Sequence, residues 1–189
     1  MNSVSYDTFL KAVNDGIIKV ADRWSLYGTA AKLALELNPQ SCLELGPGKI
    51  AILEGSDIMD KAEETSFGKP VNETGELFLH DAETAPWPFK DKEYDLFISL
   101  QVFEHLNGNQ PVAFAEAKRI AKNIIVSLPY RWDLPENISS YPSHHMIDEN
   151  TVVEWTKGIL PPPDRCVLLP KAGDLVSLGE KMFFIWENI

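Results

Sequence analysis

Short apolar segments alternate with segments of helical periodicity along this chain, and this alternation restricts the fold more than any other feature of the sequence. The pattern predicts helices over residues 6–15, 18–36 and 109–121, followed by one that runs from an Asp148 N-cap to about Lys157. It predicts strands at 41–45, within 52–60, and at 76–80, 94–100, 123–128, 165–169 and 181–187. Elements in this order predict an α/β fold with a parallel sheet.

The last two predicted strands are joined only by residues 170–179. Strands with so short a link are usually antiparallel neighbours, because a parallel pair needs a longer crossover. We therefore expect a Rossmann-like, doubly wound fold with a mostly parallel seven-stranded sheet and one antiparallel strand near its edge. A single domain is expected over residues 1–189, with an N-terminal helical lid at 1–38 and an α/β core at 41–189.

A glycine turn, Gly46-Pro47-Gly48, ends the first predicted strand. Both glycines tolerate positive φ and leave the backbone open to a ligand, and ligands bind beyond the carboxyl ends of strands in such sheets. Glu44 precedes the turn inside an apolar strand, where a carboxylate is costly to bury unless it is bonded. The alternative is an ordinary strand-to-helix turn with Glu44 facing solvent.

The segment after this turn is unusually short, since only residues 49–55 separate Gly48 from the start of the second strand region. Seven residues extend about 10 Å as a helix, which is too little to cross back over a sheet. We therefore expect the first crossover helix to be shortened or absent, or the second strand to be displaced. The spacing Gly46-x-Gly48-x-x-Ala51 also matches a dinucleotide fingerprint, but that motif requires this helix and an acid about 20 residues on.

Further polar clusters follow the next three predicted strands in order. Asp57 and Asp60 lie near the end of the second strand, where a carboxylate can accept hydrogen bonds from ribose hydroxyls. Asp81-Ala82 follows the third strand, and residues 101–106 follow the fourth. Taken singly, either acid of the second strand is more often a solvated carboxylate or a helix cap.

Together these clusters resemble the class I S-adenosylmethionine-dependent methyltransferases, in particular short members of the methyltransferase type 11 kind. Residues 43–48 are similar to that family's first glycine motif, and residues 81–95 to its segment between strands three and four. The run Val102-Phe103-Glu104-His105-Leu106 resembles its signature after strand four, and residues 144–148 resemble the run before a late helix. The resemblance covers residues 41–158.

The resemblance implies an S-adenosylmethionine-dependent methyltransferase that releases S-adenosylhomocysteine. Residues Glu44, Gly46 and Gly48 would then line the methionine end of the cofactor. The ribose would be bound by Asp60, with Asp57 as the second choice. The remaining contacts implied are Asp81 and Ala82 on adenine, and Gln101 and Val102 beside the sulfonium.

Residues for a methyl acceptor are less constrained. His105 and His145 are candidate general bases. The alternative for His105 is packing or capping at the turn after the fourth strand, and for His145 it is a capping or loop role, which such a residue has more often. Tyr130, Arg131 and Trp132 end the fifth strand on the ligand side, where they would recognise an acceptor with a carboxylate or aromatic part, or pack a lid. A small-molecule acceptor fits so short a chain. A non-catalytic module that keeps the fold without turnover is the alternative.

Net charge and composition restrict the kinds of partner and cofactor that the sequence predicts. The net charge is −11, from 17 basic and 28 acidic residues, which disfavours nucleic acid as a partner. Cys42 and Cys166 lie far apart in sequence and indicate buried free thiols, and no histidine or cysteine spacing predicts a metal site. Without a signal-peptide pattern or an apolar run of membrane-spanning length, the expected location is the cytoplasm.

Overall fold

The computed structural model describes residues 1–15, 23–61, 70, 72, 74–133, 146–171 and 179–189. Within these residues, two helices precede the first strand, and two more lie among the later strands, one of them after a short 3₁₀-helix at Phe103–His105. The helices are α1 (Tyr6–Asn14), α2 (Trp24–Glu36), α3 (Gln110–Ile120) and α4 (Glu149–Thr156). The strands are β1 (Cys42–Leu45), β2 (Asp57–Asp60), β3 (Leu77–Leu79), β4 (Tyr94–Leu100), β5 (Ala121–Pro129), β6 (Arg165–Leu169) and β7 (Lys181–Trp186).

The seven strands form one sheet in the order β3-β2-β1-β4-β5-β7-β6. The pairs from β3 to β5 are parallel, and β7 runs antiparallel to both β5 and β6. The expected Rossmann-like sheet, mostly parallel with one antiparallel strand next to its edge, is therefore confirmed. The N-cap at Asp148 is also confirmed, because its carboxylate accepts a hydrogen bond from the Thr151 N–H at 3.0 Å.

Apolar side chains cover the sheet on both faces. On one face α1 and α2 pack against β1, β4, β5 and β7, with Phe9 and Ala30 fully buried. On the other face α3 and the loop before β4 bury Phe114 and Trp87 against the same strands. The residues predicted as an N-terminal lid thus include two helices that form a layer on the sheet.

The connection between β1 and β2, residues 46–56, lies wholly within the described chain and contains no helix. The expected loss of the first crossover helix is confirmed, and β2 still pairs directly with β1. Residues 50–53 are each at most 1% exposed, so this loop fills the space beside the sheet with Ile50, Ala51, Ile52 and Leu53. Ser3 forms an antiparallel bridge with Leu53 on its outer side.

The connection between β3 and β4, residues 80–93, is also fully described and has no helix. Arg119 on α3 secures it by donating to the carbonyl oxygens of Trp87 and Phe89 at 3.0 and 2.7 Å. Glu116, one turn earlier, accepts the Trp87 N–H at 2.7 Å and also pairs with Arg119. The crossovers from β1 to β2 and from β3 to β4 are therefore loops, in positions where parallel sheets usually have helices.

The cysteines differ from the prediction of two buried thiols. Both are free, but only Cys42 in β1 is buried, whereas Cys166 is exposed. Cys166 lies in the edge strand β6, where Val167 and Leu169 pack against the core on one face while Cys166 and Leu168 are exposed on the other. Among the described helices, none is long and apolar enough to cross a membrane.

Candidate functional site

Backbone hydrogen bonds tie the carboxyl ends of neighbouring strands into a continuous edge. The Gly46 N–H donates to the Met59 carbonyl at 3.0 Å, which joins the end of β1 to β2. The His80 N–H donates to the Asp60 carbonyl at 2.9 Å, and the Gln101 N–H donates to the Ser127 carbonyl at 2.9 Å. This edge carries nearly all the residues predicted from the sequence to bind a ligand.

The glycine turn lies at the centre of this edge. Gly46 has a φ of 58° and Gly48 a φ of 67°, conformations that favour glycine. A Cβ atom at position 46 would also lie 3.0 Å from Cγ2 of Val102, which follows β4. The turn and Val102 are therefore in close contact, and any side chain at position 46 would crowd Val102.

Glu44 does not face solvent. It is 1% exposed, and its carboxylate accepts hydrogen bonds from the Ile52 and Leu53 N–H groups at 2.8 and 2.9 Å and from the Ser56 hydroxyl at 2.7 Å. Burial raises the pKa of this carboxyl to about 7, and the three hydrogen bonds oppose that rise. The structure thus places the Glu44 carboxylate against the crossover loop.

The two aspartates of β2 occupy different environments. Asp60 is the last residue of the strand, at the ligand edge, and one of its oxygens accepts the Lys61 N–H at 2.7 Å. Asp57 begins the strand, about 10 Å away along β2. Its carboxylate accepts the Tyr94 hydroxyl at 2.9 Å and the Glu76 N–H at 2.8 Å, so it links β2 to the starts of β3 and β4.

Asp81 and Ala82 follow β3, beside Asp60. The Asp81 carboxylate pairs with the Lys61 ammonium at 2.8 Å and accepts the Glu83 N–H at 3.1 Å, and the pKa of Asp81 is lowered chiefly by Lys61. Ala82 is buried, and its carbonyl accepts the Trp87 indole N–H at 3.3 Å. A carboxylate and a small residue therefore lie together at the β3 end of the edge.

The residues after β4 form a tight turn into the 3₁₀-helix. Gln101 has a φ of 57°, a strained conformation for a residue other than glycine, and strain of this kind concentrates at functional sites. Its side-chain amide donates to the Ser127 hydroxyl at 3.3 Å. Glu104 is 2% exposed, and burial raises the pKa of its carboxyl to about 8.

Of the two histidines predicted as general bases, the structure describes only His105. His105 ends the 3₁₀-helix after β4 and is exposed, and partial desolvation lowers the pKa of its imidazole below the ordinary value. A lowered pKa keeps the ring neutral at pH 7 and able to accept a proton. His145 lies outside the described residues.

Tyr130, Arg131 and Trp132 follow β5 at the same edge. The Tyr130 hydroxyl donates to Glu149 at 2.9 Å, and the Arg131 guanidinium lies 4.9 Å from the Tyr130 ring centroid and 3.4 Å from the Glu149 carboxylate. The Trp132 indole N–H donates to the Glu180 carbonyl at 2.6 Å. These side chains make a polar and aromatic wall anchored to α4 and to the start of β7.

Sequence reasoning overlooked three residues of this region. Lys61 pairs with Asp81, and Ser56 completes the bonding of Glu44. Lys181, 7% exposed at the start of β7, places its ammonium 5.7 Å from the Trp132 ring centroid. A lysine directly before the apolar run Met182–Trp186 is the same signal that drew attention to Glu44, and it would have marked Lys181.

Comparison with known proteins agrees with this geometry. Residues 37–124 match the family model described as a methyltransferase domain. None of the curated proteins compared with the chain matches it in sequence.

Solved structures extend the similarity over nearly the whole chain. The methyltransferase domain of bacterial CtHen1 is 14% identical with a TM-score of 0.60, covering 87% of this chain and 98% of that one. A Thermotoga maritima S-adenosylmethionine-dependent methyltransferase, described as a possible histamine N-methyltransferase, is 17% identical with a TM-score of 0.57, covering 98% and 100%. A Haloferax volcanii putative methyltransferase, solved with the Trm112 methyltransferase activator, is 15% identical with a TM-score of 0.55, covering 96% of each.

The fold is that of the class I S-adenosylmethionine-dependent methyltransferases, and the resemblance drawn from the sequence is confirmed. The family match is to a methyltransferase domain, and the solved structures share the fold of this chain. Sequence identities this low establish the fold but do not identify the methyl acceptor.

Proposed function

We propose that this protein binds S-adenosylmethionine along the edge from Asp81 to Gln101 and transfers its methyl group to a small-molecule acceptor. The observation that carries the proposal is the order of groups on one continuous edge. An acid ends β2, an acid and an alanine follow β3, a glycine turn follows β1, and a strained turn follows β4. The positive φ angles of Gly46 and Gly48 suit a turn without side chains, which a ligand can approach at the backbone.

Within this proposal Asp60 accepts hydrogen bonds from the ribose, and Asp81 with Ala82 contacts adenine. Gly46 and Gly48 admit the methionine end, and Gln101 and Val102 flank the sulfonium. The cofactor supplies a methyl group that is already activated, so the protein's main task is alignment, which lowers a barrier by roughly 7–11 kcal/mol. A neutral His105 would take a proton from the acceptor, and His145 remains the second candidate.

The acceptor would lie beside Tyr130, Arg131 and Trp132, next to the sulfonium end of the site. An aromatic ring and a guanidinium at this wall suit a small molecule with an aromatic or carboxylate part. The Thermotoga maritima structure, described as a possible histamine N-methyltransferase, is consistent with a small acceptor on this fold.

Calorimetry with S-adenosylhomocysteine tests cofactor binding, and we expect micromolar affinity. Asp60→Asn should weaken it about 10–100-fold, because a charge-assisted hydrogen bond to ribose is lost. Asp57→Asn is the matched control: it weakens the contact with Tyr94 and lowers stability, but it should leave affinity unchanged. Absence of heat and of a thermal shift with the wild-type protein would refute the proposal.

Turnover separates an enzyme from the second candidate, a binding module without activity, which is favoured by the missing helix between β1 and β2. We expect methyl transfer to at least one member of a panel of small amines, phenols and carboxylates. His105→Ala should then lower kcat about 10²–10⁴-fold while cofactor affinity stays within twofold. Cofactor binding without transfer to any acceptor in the panel would favour the module.

A further inference from the structure

The helix-free crossover buries backbone N–H and C=O groups that need hydrogen-bond partners from outside the segment. In a helix, each backbone N–H finds its partner inside the helix, whereas the buried residues 50–53 have no such ladder. Asn72 meets part of the need, since its side chain accepts the Ala51 N–H at 3.0 Å and donates to the Ala51 carbonyl at 2.9 Å. Further partners come from β1 and from the N-terminal segment.

From the inner side, one carboxylate binds the crossover at three points. Glu44 in β1 accepts from the N–H groups of Ile52 and Leu53 and from the hydroxyl of Ser56, and it is 1% exposed. These contacts close a ring of chain from residue 44 to residues 52 and 53. Gly46 and Gly48 lie within that ring, so the shape of the glycine turn depends on where the far end of the ring is held.

From the outer side, the start of the chain binds the same residues. The Val4 N–H donates to the Ile52 carbonyl at 2.9 Å, and the Glu54 N–H donates to the Asn2 carbonyl at 2.9 Å. Val4 is itself 3% exposed. Residues 2–4 therefore lie along the crossover in the position of an added strand, and Ile52 is held on both sides.

We propose that Glu44 is a positioning residue that sets cofactor affinity by holding the helix-free crossover, with residues 2–4 bound on the outer side, and that it does so without touching the cofactor. Both Glu44 oxygens are directed to crossover donors, and the contact with the ligand is made by the glycine turn that the ring encloses. This inference rests on the proposed binding of S-adenosylmethionine.

Glu44→Gln tests the inference, because the amide keeps the shape of the carboxyl but directs one NH₂ group at donors. We expect faster amide hydrogen exchange at Ile52 and Leu53, unchanged exchange at Phe97 and Ile98 in β4, and about tenfold weaker S-adenosylhomocysteine binding. Glu116→Gln is the matched control, since Glu116 is also buried and also accepts a loop N–H, but on the opposite face of the sheet. It should lower thermal stability without changing affinity or exchange at residues 52 and 53.

The outcomes separate the inference from the function on which it rests. Weaker binding by Glu44→Gln with unchanged exchange at Ile52 and Leu53 overturns the inference, because Glu44 would then contact the ligand directly. Faster exchange with unchanged affinity also overturns it. If Glu44→Gln does not fold, Ser56→Ala removes one donor and should shift both readouts together by a smaller amount; no joint shift overturns the inference. Failure of the wild-type protein to bind overturns the proposed function itself.

Discussion

At some positions of the ligand edge, both the backbone conformation and the close neighbours restrict which residue can be present. Gly46 is the sharpest case, because its φ of 58° favours glycine and Val102 occupies the position next to its missing side chain. Gln101, in contrast, adopts a similar φ with a side chain, and a bond from its backbone N–H to the Ser127 carbonyl holds the strained turn. Position 46 is therefore constrained twice, once by its backbone and once by its neighbour.

Gly46→Ala should lower the free energy of unfolding by about 1–2 kcal/mol and weaken S-adenosylhomocysteine binding at least tenfold. The loss arises from the positive φ and from the 3.0 Å approach of a Cβ to Val102. The control is Gly158→Ala, at a φ of 73° after α4, where a Cβ would have nothing within 4 Å. Its stability loss should be smaller, because only the positive φ opposes the alanine, and an equal loss of affinity in both variants would argue against a ligand at the turn.

At the scale of elements, two loops connect parallel strands that helices usually connect. The connection at residues 80–93 leads from the proposed adenine contacts to β4, and Arg119 with Glu116 holds it to α3. Glu83 also accepts hydrogen bonds from the side-chain amides of Asn107 and Asn109, which links this loop to the turn after β4. Such a loop depends on a few side chains instead of on a repeating backbone ladder.

Arg119→Met should therefore lower the free energy of unfolding by about 2–3 kcal/mol, because the Trp87 and Phe89 carbonyls and the Glu116 carboxylate lose a donor together. Arg165→Met is the comparison, since Arg165 pairs with the exposed Glu36 and the partly buried Glu187 at the surface and should contribute less than about 1 kcal/mol. Urea unfolding measures both. Equal losses would show that the loop does not depend on Arg119.

For the whole molecule, two buried carboxyls link stability to pH. The pKa of Glu44 is raised from 4.5 to about 7 and that of Glu104 from 4.5 to about 8, in both cases chiefly by burial. The folded chain thus keeps protons that the unfolded chain has already released. Their contribution to stability is fully present below pH 4.5 and is lost as the pH rises through about 7 and about 8.

Glu104→Gln removes one of these ionisations, so its stability should fall less steeply than that of the wild-type protein between pH 6 and pH 9. We expect the variant to gain roughly 1–3 kcal/mol relative to wild type across this range. Denaturant unfolding at several pH values in one salt concentration measures the difference. A difference that stays constant with pH would show that Glu104 ionises normally in the folded protein.

Local chemistry in the sequence was enough to predict the elements. Strands β4 and β6 occupy the predicted residues 94–100 and 165–169, because their apolar runs are bounded by residues that do not continue a strand. The same is true of the Asp148 cap and of the short connection after Gly48, whose length alone excludes a crossover helix. Each of these features depends on neighbours within about ten residues, which a sequence pattern records directly.

Only the tertiary structure decided how the buried polar groups are satisfied. The partners of Asp57 lie 19 and 37 positions away, at Glu76 and Tyr94, and no local pattern distinguishes this carboxylate from that of Asp60. Residues 2–4 reach the crossover across some 50 positions of chain. The sequence thus determined that a glycine turn would end β1 without a helix after it, and the packed fold decided that Glu44 and the N-terminal segment hold that turn, because a buried N–H must find a partner wherever the chain supplies one.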